Sequence, residues 1–71
     1  MLTQLQIQEI EKFRLDTTYK KYILVKLLNY WNEILKFNNE PNLPQECFCA
    51  EARKKEFHTE FFIFYDKQNI N

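Results

Sequence analysis

Cys47, Cys49 and His58 are the residues of this chain whose types could bind a metal. Thiolate and imidazole are the usual protein ligands of zinc, and a structural zinc takes four, commonly from two paired knuckles. The Cys47-Phe48-Cys49 spacing supplies one pair and His58 a third ligand. A fourth would have to be a carboxylate or come from another chain. On a continuous helix the two cysteines project about 160° apart, so they converge only where the chain bends. The expectation is no metal and no cofactor, with two small thiols near a helix start. A disulfide between residues two apart would be strained.

The same side chains raise nucleophilic catalysis. That chemistry needs a nucleophile beside a base that a third group orients, and no local signature of it surrounds either cysteine. A chain of 71 residues also has little material to wall a cleft of roughly 300 Å³ or more. The expectation is a protein that is not an enzyme and takes no small-molecule substrate.

Phosphate contact is the third possibility. Lys20, Lys21, Arg53, Lys54 and Lys55 are the candidate cations. A helix beginning near Cys49 would hold Arg53-Lys54-Lys55 in its early turns, where the helix dipole disfavours positive charge; accepting that penalty would point to an anionic partner. A helix beginning at Leu43 removes it. Against a dedicated nucleic-acid binder stands the balance of ten basic and ten acidic residues, since such binders draw affinity from excess Lys and Arg. Glu46, Glu51, Glu56 and Glu60 interleave with the last basic block, as on an ordinary solvated face. A small nucleic-acid-binding regulator is therefore the alternative reading.

The elements that must position these groups are helical. The chain has no glycine and two prolines, and no Asn-Gly or Asp-Gly pair to close a tight hairpin. The expected fold is all-α: a small three-helix bundle, or a helical hairpin with an added arm, forming one domain over 1–71. Thr3 with Gln6 three residues on is a capping-box pattern, and Ile7, Ile10 and Phe13 follow at helical spacing, which predicts a helix over 3–15. Asp16 is expected to cap a second helix over 17–37; a continuous helix over 3–37 is the competing reading. In the second helix Tyr19, Ile23, Leu24, Leu27, Leu28, Tyr30, Trp31, Ile34, Leu35 and Phe37 cover an arc of roughly 180°. Residues 38–43 read as a loop. Asn42 and Gln45 suggest a further cap, with a third helix over 44–66 and a frayed tail over 67–71. The run Phe61-Phe62-Ile63-Phe64-Tyr65 is short enough to be ambiguous between helix and strand; helix is preferred because a strand would lack a partner. Ile23, Leu27, Trp31, Ile34 and Leu35 are expected in the core, with Phe57, Phe61, Phe64 and Tyr65 packed on them.

Aromatic residues make up 17% of the chain, more than one face per helix needs. Tyr22, Val25, Phe48, Phe62 and Ile63, with Leu5 or Leu15, fall outside the expected core. Contiguous exposed apolar positions mark interfaces, and aromatic side chains supply most interface anchors. Lys20 and Lys54 fall within apolar faces, where their stems can lie over apolar neighbours. The expected function is non-enzymatic: self-association or docking to a protein partner, as a structural accessory subunit of a larger assembly. Richness in Asn, Lys, Ile, Tyr and Phe fits AT-rich coding, as in a phage, a mobile element or an AT-rich bacterium. The amino-terminal residues do not follow a signal-peptide pattern, and no apolar run approaches the length of a membrane span. With two cysteines, the expectation is free thiols in a reducing compartment, the cytoplasm or a virion.

Overall fold

The computed structural model describes residues 2–68. Among them the chain forms three helices and no strand: α1 (Gln4–Leu15), α2 (Lys21–Phe37) and α3 (Glu51–Asp66). The all-α expectation holds, and Phe61 to Tyr65 are helical.

α1 begins as its sequence directs. Thr3 Oγ1 accepts from the Gln6 N–H at 3.2 Å, and Gln6 Oε1 accepts from the Thr3 N–H at 2.8 Å. Two of the donors that a helix start leaves unpaired are thus satisfied reciprocally.

The second helix starts later than 17, and no helix is continuous over 3–37. Asp16 closes α1 instead of opening α2, its N–H donating to the Phe13 carbonyl at 3.1 Å. Its carboxylate accepts from the Thr18 N–H at 3.0 Å and from the Thr18 hydroxyl at 2.5 Å. This local pairing competes with helix formation. Tyr19 then takes a left-handed φ of 54°, and its ring meets His58 edge-on at 5.1 Å. The chain reverses there before α2 begins.

α2 ends in a Schellman arrangement. The Glu40 N–H donates to the Leu35 carbonyl at 2.8 Å, and the Asn39 N–H to the Lys36 carbonyl at 3.1 Å. The residue required in the left-handed region is Asn39, at φ 59°. Asparagine tolerates that region better than other residues with a Cβ, and here it takes the place usual for glycine. Asn39→Gly is expected to keep or raise stability by up to about 1 kcal/mol, and Asn39→Val to lower it. Thermal unfolding of the two variants checks this; Asn39→Val matching the parent would contradict it.

The third helix is also shorter than 44–66. Residues 41–49 form neither helix nor strand, and α3 starts at Glu51. The cap expected from Asn42 and Gln45 does not form. The Leu43 N–H instead donates to Asn32 Oδ1 of α2 at 2.8 Å. Phe48 takes a left-handed φ of 52° and buries its ring 4.8 Å from that of Phe57. A left-handed conformation costs a bulky residue about 1–2 kcal/mol. Burying a phenylalanine returns roughly 1.5–3 kcal/mol, so the buried ring outweighs the strained backbone.

The core lies where α2 and α3 face each other, the closest helix pair. Ile23, Leu24, Leu27, Leu28, Ile34 and Leu35 come from α2, and Phe57, Phe61, Phe62 and Tyr65 from α3. α1 adds Ile10 and Phe13. Trp31 and Phe64, expected in the core and packed on it, are half-buried at its edge and stacked on each other at 4.7 Å. Lys67 and Gln68 are held in a turn, the Gln68 N–H donating to the Tyr65 carbonyl at 3.1 Å, rather than frayed. The rest of the expected tail lies outside the described residues.

Candidate functional site

Of the residues expected to form a partner interface, Tyr22, Val25 and Ile63 are exposed. Phe48 and Phe62 are not: they are 2% and 7% accessible and belong to the core. Phe48 is buried because its loop folds inward. Phe62 is buried because α1 covers it. The Arg14 guanidinium sits 4.6 Å above its ring, with His58 and Phe61 against its other sides at 4.9 and 5.0 Å. Arg14 is held there by Asp66 at 2.7 Å and Glu11 at 2.8 Å.

Leu5, Leu15 and Phe37 complete the exposed large apolar set. Phe37 belongs to the apolar arc expected of α2, but it is the last helical residue, beside the turn at 38–39, and stands 61% accessible. Tyr22 and Val25 are three residues apart on α2 and so share one stripe of its outer side. Asn29, also exposed, continues that stripe.

The candidate cations divide. Arg53 is engaged by Glu46 at 2.5 Å, Glu56 at 2.5 Å and Glu60 at 3.3 Å. Lys54 pairs with Glu51 at 3.0 Å. Because α3 starts at Glu51, the basic block does occupy its disfavoured first turns, and these carboxylates neutralise it locally. Lys20, Lys21 and Lys55 make no ion pair among the described residues.

The possible metal ligands are not brought together. His58 is buried, and its Nε2–H donates to the Phe13 carbonyl at 3.0 Å, tying α3 to the end of α1. Cys47 and Cys49 are exposed free thiols on the loop before α3. Among the described residues, no three His, Cys, Asp or Glu side chains converge as a metal site would require. The Cys49 thiol and backbone N–H face the Cys47 sulfur and hold the Cys47 thiol below its ordinary range; Cys49 is pushed up by the same pairing. The buried hydroxyl of Tyr65 has no hydrogen-bond partner among the described residues, and its burial pushes the phenol up.

Three ionic ties hold the periphery to the core and set its pH response. Hydrogen bonds from Tyr30 to Glu9, from Arg53 to Glu46 and from Arg14 to Asp66 hold these carboxyls below their ordinary ranges. The unfolded chain therefore takes up protons at a higher pH than the folded one. This stabilisation is present above the ordinary values of 4.5 for Glu and 3.8 for Asp and is lost as pH falls through the lowered ones. Tyr30 behaves oppositely: burial, then its bond to Glu9, pushes its phenol from 10.0 up to about 12. Its contribution is complete below pH 10 and lost as pH rises through about 12. Urea midpoints should thus fall on the acid side below about pH 4–5 and again above about pH 10. A midpoint unchanged down to about pH 2.5 would contradict the ties.

No family model, curated protein or solved structure matches this chain. No helix of the described residues is long and apolar enough to cross a membrane.

Proposed function

We propose that this chain is a non-enzymatic interaction protein, an accessory subunit that docks to a protein partner through the outer side of α2, in an assembly of phage or mobile-element origin. The observation that carries the reading is the exposure of Tyr22 and Val25 as neighbours on one helix stripe while almost every other ring of the chain is sheltered. Burying a tyrosine and a valine against a partner removes apolar area from water at roughly 25 cal/mol per Å², and tyrosine is a frequent anchor of interface hot spots. Leu5, Leu15, Phe37 and Ile63 add apolar surface on all three helices.

The test is the double substitution Tyr22→Glu with Val25→Glu. Both positions are exposed, so folding stability should change by no more than about 1 kcal/mol. In an extract of the native host the parent chain should migrate with a larger assembly and the double variant at the mass of the free chain. A parent chain that runs at its own mass both purified and in that extract would contradict the proposal.

The nucleic-acid alternative is the weaker proposal. With Arg53 and Lys54 occupied by carboxylates, it relies on Lys20, Lys21 and Lys55. A shift assay that shows no complex even at low salt ends it, because phosphate contacts strengthen as salt falls.

A further inference from the structure

We propose that Cys47 and Cys49 form a dithiol site that reduces disulfides by thiol–disulfide exchange and closes a Cys47–Cys49 bond in doing so. Both thiols are exposed, so a disulfide of a small molecule or peptide can reach them. The residue between them is fixed, with the Phe48 ring buried against Phe57 at 4.8 Å. The segment is not helical, so the opposed projection that a helix would impose on the two cysteines does not apply. In an extended strand, residues two apart lie about 6.6 Å from each other, close to the outer limit of about 6.8 Å that a disulfide tolerates. The left-handed backbone at Phe48, φ 52°, makes the span shorter than this extended limit.

The surroundings favour thiolate chemistry over capture of a soft cation. The charge of Lys21, from the first turn of α2, lowers both thiols, although the pairing with Cys47 leaves Cys49 raised. Positive side chains stabilise thiolates.

The reaction balances as follows. The Cys47 thiolate attacks one sulfur of the disulfide, forms a mixed disulfide and expels a thiolate, which takes up a proton. Cys49 then loses its proton and attacks the Cys47 sulfur, forming the Cys47–Cys49 bond and expelling the second thiolate, which is protonated in turn. Two electrons and two protons pass to the disulfide, giving two thiols. An exposed disulfide closed over so short a loop belongs to the labile class that thiols readily reduce, so reduced glutathione should reverse the reaction.

The full chain is incubated with oxidised glutathione, quenched in acid and read by intact mass without reductant. The expected product has lost the mass of two hydrogens, retains no glutathione, remains a single chain and returns to the dithiol with reduced glutathione. Cys49→Ser should stall with one glutathione on Cys47. Cys47→Ser should likewise stall with one glutathione, on Cys49. Both variants should keep the parent circular dichroism spectrum, since both positions are exposed. The proposal is overturned by a stable double adduct, by disulfide-linked dimers or by no reaction.

Discussion

Phe61→Ala is expected to remove about 3–5 kcal/mol of stability, a large share of what the chain has. Phe61 is fully buried, with Trp31, Phe62 and Tyr65 at ring distances of 5.8, 5.0 and 5.8 Å. It is the ring against which α2 and neighbouring turns of α3 meet. Truncating a core phenylalanine costs about 3–5 kcal/mol, because the transfer energy is lost and a cavity remains. The whole stability of 71 residues is about 4–11 kcal/mol at 0.05–0.15 kcal/mol per residue. Ile63→Ala, two residues along but exposed, should move stability by no more than about 0.5 kcal/mol. Urea titration followed by far-UV circular dichroism gives both values. A loss below about 1 kcal/mol at Phe61 would show that this ring does not hold the bundle.

The second large effect is at Phe48, where packing and backbone strain oppose one another. Phe48→Ala should cost about 3 kcal/mol or more, because the ring is 2% accessible and packs on Phe57. Phe48→Gly removes the same ring but is free of the left-handed penalty. At ordinary positions glycine is worse than alanine by roughly 0.5–1 kcal/mol. At φ 52° the order should disappear or reverse, with glycine at least as stable as alanine. Paired urea curves decide it, and an alanine variant clearly more stable than the glycine variant would remove the strained turn from the account. Because that turn also positions the thiols, Phe48→Ala should slow closure of the Cys47–Cys49 bond.

The parts of the fold that were legible in the sequence are those decided locally. Thr3 and Gln6 announce the start of α1 because both halves of the capping box lie within one turn. The apolar arc of α2 names the buried Ile23, Leu27, Ile34 and Leu35 because helical period alone sets which side faces inward. The start of α3 was not legible. Residues 43–50 carry a fair helical pattern, and what defeats it is distant: Asn32 of α2 takes the Leu43 N–H, and Phe57 receives the Phe48 ring. Phe62, which helical period places outside the core, is buried for a similar reason. Its cover is Arg14 from α1, held by Asp66 from α3 across a long stretch of chain. The spacing of Arg14 from Glu11 hints at a local pair, but nothing in the sequence gives the partnership with Asp66. That the two cysteines escape the opposed projection of a helix follows from the same unforeseen loop. Among the exposed apolar residues, Tyr22, Val25 and Ile63 were legible as lying off the apolar faces. Phe37 was not, because a periodic pattern takes no account of where the helix stops.

The stripe on α2 is the centre of the functional account, and site-specific photo-crosslinking reads it directly. A photoreactive amino acid is placed at position 22 in one chain and at position 59 in another, and each is irradiated in the native host. Tyr22 on α2 and Thr59 on α3 are both exposed, so accessibility does not distinguish them. The account predicts a discrete product joined to one protein partner from position 22 and none from position 59. Equal labelling from both positions, or no product from position 22, would contradict it.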